Sequence, residues 1–206
     1  LDTIKKNLSF VDQIEITLEA NPESLTQQKL AAYAEAGVNR LSIGLQAWQP
    51  HLLQSLNRPY QLDTFLEIYQ LVQQSKIHNY NLDLMFGLPD QTAAEWQESL
   101  ERTIALRPNH ISCYSLELDN HSVFGRRVQQ GKLKTPSEQL DRAMYSLAKK
   151  LLLKAGYRHY ELSNFALPGF ESQHNTAFWH NVPYLGLGAG AASYCLGREW
   201  VNVSDT

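Results

Sequence analysis

Apolar and polar positions alternate with period two in four stretches of the chain, and helical spacing follows each one. Ile14, Ile16 and Leu18 alternate with Glu15, Thr17 and Glu19. Leu41, Ile43 and Leu45 alternate with Ser42, Gly44 and Gln46, and Leu82, Leu84 and Phe86 with Asn81, Asp83 and Met85. His110 to Leu118 gives a fourth stretch. Such alternation predicts strands with one buried face. Between them, Leu30, Tyr33 and Ala34, then Phe65, Ile68, Tyr69 and Val72, then Trp96, Leu100 and Ile104 recur at helical intervals. Leu140, Met144, Leu147 and Leu151 mark a further helix. Ser24 with Gln27, Thr92 with Glu95, and Thr135 with Glu138 predict capping boxes, the last with Pro136 at the first helical position. Gly37, Pro108 and Gly156 stop helices.

Weaker signals complete the chain. Residues 1–10 read as the tail of a helix, His51 to Asn57 as a helical turn, and Phe124 to Gly131 as a short helix. Tyr157 to Leu162 predicts a strand, Ser163 to Gly190 is loop-rich, and Arg198 to Val203 alternates as an edge strand would.

Strands alternating with helices imply an α/β fold with parallel pairing and right-handed crossovers. Each strand has one apolar face and one face with small or polar members near its carboxyl end. Glu19, Gln46 and Asp83, with Ser115 or Glu117, are those members. This favours a partial parallel (β/α) barrel whose lumen is lined by a site over a flat doubly wound sheet. The barrel is expected over residues 1–160, with its end and the start of a C-terminal region over 161–206. Asn79 to Thr92 is the central piece: strand, tight turn at Gly87-Leu88-Pro89, helix start. An aspartate inside such a strand costs several kcal/mol unless something binds it, roughly, by the usual cost of burying polar groups.

Bulk properties narrow the function. Hydrophobic residues make up 43% of the 206, enough for a core, and the formal charge is −3. That balance argues against a general nucleic-acid binder. No apolar run is long enough to span a membrane, so any membrane contact would be peripheral. No signal-peptide pattern opens the chain, and a cytoplasmic protein is the default. Cys113 and Cys195 form neither a close pair nor a metal-binding spacing.

The phrases Thr-Leu-Glu-Ala-Asn-Pro around Glu19, Leu-Ser-Ile-Gly-Leu-Gln ending at Gln46, Leu-Asn-Arg ending at Arg58, and Asn-Leu-Asp-Leu-Met-Phe-Gly-Leu-Pro-Asp-Gln-Thr around Asp83 carry a resemblance. They are similar to radical S-adenosylmethionine (SAM) proteins related to oxygen-independent coproporphyrinogen III oxidase. His174-Asn175-Thr176-Ala177-Phe178-Trp179 resembles a motif of the HemW-type heme chaperones in that group, and Tyr184 to Tyr194 resembles its glycine-rich segment. The likeness runs from about Glu15 to Tyr194. The family's Cys-x-x-x-Cys-x-x-Cys cluster motif and its Gly-Gly-Thr-Pro segment are absent; both would lie before Leu1, as in a truncated chain. Tyr60 and Ala192 stand where many relatives have histidine.

The resemblance implies a barrel that binds SAM, a [4Fe–4S] cluster with ligands outside this chain, and heme, which it delivers to respiratory proteins. It puts Glu19, Gln46, Arg58, Asp83, Glu117 and Ala192 around SAM. His174, Asn175, Phe178 and Trp179 would face heme, with imidazole as an iron donor and rings over the macrocycle. Carboxylates and amides suit the ribose and ammonium groups of SAM, and an arginine suits its carboxylate. Because the group holds both chaperones and oxidases, decarboxylation of coproporphyrinogen is the nearest alternative. A cluster-free binding or hydrolytic barrel, with Glu19 and Asp83 as a carboxylate pair or metal ligands, is the alternative from another class.

Overall fold

The structure, a computed structural model, describes residues 1–58, 62–117, 123–131, 133–134 and 136–204. The chain forms two compact units, Leu1–Phe170 and Glu171–Thr206. The first contains, in order, α1 (Asp2–Asn7), β1 (Thr17–Ala20), a 3-10 turn (Pro22–Ser24), α2 (Gln27–Ala36), β2 (Arg40–Gln46), α3 (Pro50–Ser55), α4 (Leu62–Gln74), β3 (Asn79–Phe86), α5 (Ala93–Leu106), β4 (His110–Ser115), α6 (Val123–Gln129), α7 (Glu138–Lys154), β5 (Arg158–His159) and β6 (Asn164–Ala166). The second contains α8 (Gln173–Trp179), β7 (Ala192–Cys195) and β8 (Arg198–Val201).

The sheet of the first unit runs β1-β2-β3-β4-β6-β5. The first four strands pair in parallel, as their intervening helices require. They are the parallel array of the expected α/β partial barrel. The expected strand at Tyr157 to Leu162 is shorter, and β6 lies in the stretch expected to be loop. Both strands of this hairpin are antiparallel additions, β6 to β4 and β5 to β6.

Several element starts differ from expectation, each for a local reason. β1 begins at Thr17 and not Ile14, because Asn39 takes the preceding backbone: Ile16 N–H donates to its Oδ1 at 2.8 Å and its Nδ2 donates to Ile14 O at 2.7 Å. Thr26, not Ser24, caps α2 by accepting from Lys29 N. The Ser24 hydroxyl is already donated to Asn21 O at 2.7 Å within the 3-10 turn. Ser137 caps α7 and Pro136 precedes the cap; Thr135 lies outside the described residues, as do Tyr60 and Leu118. The Thr92–Glu95 capping box forms in full.

The apolar faces of the strands build one core with the helices. Leu41, Ile43, Leu45, Leu82, Leu84, Phe86 and Ile111 are all buried in it with Trp48, Phe65, Trp96, Leu100 and Met144. Trp96 is the joint between helices. Its ring lies 5.4 Å from that of Phe86, and its Nε1 donates to Met144 O at 2.8 Å. The buried line of α7 is Met144, Ala148 and Leu152, flanked by the expected Leu140, Leu147 and Leu151.

The opposite faces of β2, β3 and β4 are polar and still largely covered. Register aligns Ser42 with Asn81 and Asn81 with His110, and in the next layer Gly44 with Asp83 and Asp83 with Ser112. His110 has no solvent exposure, and burial, then the nearby Arg40 cation, lowers its pKa to about 3. The folded imidazole is therefore neutral at ordinary pH.

Two expectations follow. Trp96→Ala should destabilise the fold by about 3–5 kcal/mol, the cost of a buried aromatic, against about 1 kcal/mol for Thr92→Ala at the cap; urea unfolding measures both. His110 adds a pH dependence. Between about pH 3 and 6.5 the unfolded imidazole binds a proton that the folded one does not, so stability rises with pH across that window. The slope from this group is at most about 1.4 kcal/mol per pH unit, and unfolding midpoints for His110→Gln should lose that share of it.

Candidate functional site at the carboxyl ends of the strands

Parallel strands bring their carboxyl ends to one edge, and the polar positions converge there. Glu19 is exposed near the end of β1, and Asn21 follows the strand. Arg58, after α3, donates from Nη1 to Asn21 Oδ1. Gln46 ends β2 with a positive φ of 67°, beside a register shift between Gly44 and Gln46. A non-glycine residue held in the left-handed region is a local cost that surrounding contacts must offset. One such contact is visible: the Tyr114 hydroxyl donates to Gln46 Oε1 at 2.9 Å. Gly44 makes room for this arrangement, since a Cβ there would lie 2.8 Å from Gln46 Nε2 and 3.5 Å from Asn21 Oδ1.

Asp83 lies one layer below. Its carboxylate keeps a partial opening to solvent but is packed by donors: Asn81 Nδ2 at 2.6 Å and Ser42 Oγ at 3.1 Å, with Ser112 also hydrogen-bonded. Burial raises its pKa, these three donors oppose the rise, and the charge of Glu19 adds to it. Tyr114 is pushed up to about 12, first by burial and then by the Asp83 charge, with Gln46 and Arg58 pulling the other way. Glu19, Gln46, Arg58 and Asp83 therefore act on one another through a shared polar neighbourhood, with Tyr114 among them. Sequence reasoning missed Asn21 and Tyr114. The available signal was the phase of Tyr114, which follows His110 and Ser112 on the polar face of β4.

Glu117 is exposed, two residues past β4. Nearby Ser115 donates to Asp141 Oδ1 at 2.6 Å, and a Cβ on Gly87 would lie 2.6 Å from the same oxygen. Together they border a cleft of about 360 Å³ with Leu116, Pro136 and Glu138.

His174, Asn175, Phe178 and Trp179 belong to the second unit, and so does Ala192, which the resemblance groups with the SAM-facing residues. The segment is not a loop. It is helix α8, capped by Ser172, whose hydroxyl accepts from Asn175 N. Helical spacing puts the His174 ring 5.0 Å from Phe178, which stacks on Tyr184 at 4.3 Å; Tyr184 lies 6.3 Å from Tyr194. Phe178 and Trp179 remain exposed. The glycines from Gly186 to Gly190 form a tight loop within the stretch expected to be loop-rich: Gly186 N–H donates to Ser193 Oγ at 2.9 Å, and Asn202 Nδ2 donates to Gly188 O at 2.8 Å. A Cβ at Gly186 would lie 2.1 Å from Ala192 O, so only glycine fits.

The residues of the first unit fit SAM chemically. Two carboxylates, two amides, a phenol and a guanidinium cover the needs of an ammonium, ribose hydroxyls and a carboxylate. They do not supply a cluster. Cys113 is buried in β4 with its thiol pushed up by burial, and Cys195 lies in β7. Among the described residues no group of three or more His, Cys, Asp or Glu side chains is placed to hold a metal ion. That also leaves Glu19 and Asp83 without a third ligand there.

Comparison with known proteins places this geometry. A heme chaperone HemW of Synechocystis sp. is 38% identical over 197 residues, covering 96% of this chain and 48% of that protein. The mitochondrial radical S-adenosyl methionine domain-containing protein 1 of Bos taurus is 41% identical over 177 residues, covering 86% of this chain and 40% of its own length. The chain thus spans about half the length of the curated relatives it matches. The solved structure of coproporphyrinogen III oxidase (HemN) from Escherichia coli, a radical SAM enzyme, superposes with a TM-score of 0.80 at 22% identity, over 99% of this chain and 50% of that one. The model of the radical SAM superfamily matches residues 1–103. With the parallel array and its polar strand ends, this match means that the chain belongs to the radical SAM superfamily.

Proposed function

We propose that the first unit binds SAM through Glu19, Gln46, Arg58 and Asp83, and that the second unit contributes to binding heme, within a chaperone that delivers heme to acceptor proteins. The convergence of those four side chains at the carboxyl ends of the parallel strands carries the SAM assignment. The heme assignment is supported by relatives named heme chaperones and by the His174–Phe178–Tyr184 ring series on α8 and the loop after it. Respiratory proteins are the proposed acceptors and the cytoplasm the proposed compartment. The barrel end and the start of a C-terminal region are proposed for 161–206. Coproporphyrinogen III oxidase activity is supported by fold likeness alone.

SAM supplies a reactive sulfonium when bound. The chain's own residues orient it: Arg58 pairs with its carboxylate, while Glu19 and Asp83 accept from its ammonium and hydroxyl groups and offset the cationic charge. Gln46, fixed by Tyr114, presents an amide. Glu117 completes the proposed set, and His174, Asn175, Phe178 and Trp179 the heme-facing one.

In a full-length protein, Asp83→Ala should weaken SAM binding at least about tenfold, in line with the 1.5–3 kcal/mol of hydrogen bonds to charged groups. Cys113→Ala, a change in packing, should leave it nearly intact; calorimetric titration compares them, and equal affinities would remove Asp83 from the site. Asp83 also predicts a trade. Because burial raises its pKa, ionising Asp83 costs the apo fold some stability, which falls as pH rises from the unfolded value through the folded one. Asp83→Asn should therefore raise the apo melting temperature at neutral pH while weakening SAM binding.

For the second unit, His174→Ala should alter the Soret spectrum or heme stoichiometry with SAM affinity and melting temperature nearly unchanged. Trp179→Ala should cost far less than the about 3–5 kcal/mol of a buried aromatic, because the side chain is exposed. An unaltered heme spectrum in both variants would refute the assignment.

A further inference from the structure

Beneath the strand ends, the covered polar layer contains side chains that the SAM assignment does not use. The Asn81 amide nitrogen lies 2.6 Å from Asp83 Oδ1, and its oxygen lies 2.7 Å from His110 Nδ1. The carboxylate fixes which way the amide points, since two oxygens at that distance would repel. Asn81 Oδ1, an acceptor only, must then accept a hydrogen bond from His110 Nδ1–H. In a neutral ring the other nitrogen is an acceptor, and Tyr160 Oη lies 2.7 Å from it. The bonds therefore run in one direction: Tyr160 O–H to His110 Nε2, His110 Nδ1–H to Asn81 Oδ1, Asn81 Nδ2–H to Asp83.

Arg40 helps to keep that order. Its guanidinium, 4% exposed at the start of β2, disfavours a second proton on His110, and an imidazolium would turn Nε2 into a donor facing the phenol. Ser42 and Ser112 close the ring around the amide, their hydroxyl oxygens 2.6 and 2.9 Å from Asn81 Nδ2. A buried His, Asn and Tyr could merely satisfy one another, but such a set has no need to end on a carboxylate.

We propose that Tyr160, His110 and Asn81 are positioning residues for Asp83, forming a chain of hydrogen bonds whose donors all face the carboxylate and hold it as an anion turned toward the strand ends. This rests on the assignment of Asp83 to the SAM site. It adds that the charge seen by a cationic ligand is set by residues that never touch that ligand. Cooperative polarisation along the chain strengthens the last bond, the one to the anion.

The groups acting on Asp83 come from every neighbouring strand. Glu19 on β1 opposes ionisation; Ser42 on β2 and Asn81 on β3 favour it; β4 contributes Ser112, which favours it, and Tyr114 and Cys113, which stay neutral. Of these donors, Asn81 is the one that His110 contacts directly.

The test is a titration of Asp83 in the full-length protein labelled with 13C at the aspartate side-chain carboxyl carbon, without SAM, with the resonance assigned by its loss in Asp83→Asn. His110→Phe breaks the chain and should move the midpoint up by about one pH unit, the size of one hydrogen bond to a charged group. His110→Gln restores a donor to Asn81 and should recover most of the shift; Tyr160→Phe should fall between. SAM affinity, titrated near the wild-type midpoint, should follow the same order. A folded His110→Phe with an unmoved midpoint, or equal shifts for the Phe and Gln variants, overturns the proposal. If His110→Phe does not fold, Tyr160→Phe decides, and an unmoved midpoint again overturns it. Loss of SAM affinity in Asp83→Asn beside an unmoved midpoint in His110→Phe refutes the chain and spares the site. A moved midpoint with full SAM affinity in Asp83→Asn does the reverse.

Discussion

A carboxylate inside a sheet can be kept only if neighbouring strands bring donors to it, and this requirement constrains the first unit more than any apolar contact does. Asp83 draws on β2, β3 and β4 at once, through Ser42, Asn81 and Ser112. Those donors meet it only in the observed register. A slip of one residue on any of the three strands would turn an apolar side chain toward the acid and a polar one into the core. Register, parallel direction and the outward core of Leu82, Leu84 and Phe86 are consequences of the same alternation. The site is thus the inner side of the arrangement that buries the core on the outer side.

Much of this was legible because period-two alternation reports both faces together. Arg40 to Gln46 and the central strand are found with the expected phase, and the Thr92–Glu95 box forms as spelled. Other pieces were hidden by competition between local signals. Ser24 looks like a cap, yet Asn-Pro ahead of it sets up a 3-10 turn that takes its hydroxyl, and Thr26 inherits the role. Ile14 and Ile16 alternate like a strand, yet a distant asparagine takes their backbone.

Short elements were the least legible. α8 has two turns at most and no buried side chain, so it carries no apolar stripe for periodicity to detect. Its one local mark is the Ser172 cap. β5 and β6 are two and three residues long, and tertiary pairing, β6 to β4 and β5 to β6, makes them strands, not their own propensity. The resemblance singled out residues of α8 for their chemistry, while their composition suggested the wrong conformation. Chemistry and shape were separable signals there. In the central strand they were one.

The bulge at the end of β2 bears on any attempt to transplant this site. In an unbroken parallel strand, position 46 would lie level with Met85; here it lies level with Leu84, drawn back by one residue. Its amide then folds over Gly44, where no side chain stands in the way. Copying the side chains onto a regular parallel sheet would leave the glutamine about 3.3 Å too far along its strand. A graft would have to carry the irregular backbone as well: the missing Cβ at 44 and the left-handed turn at 46 shape the candidate site, although neither is a functional group.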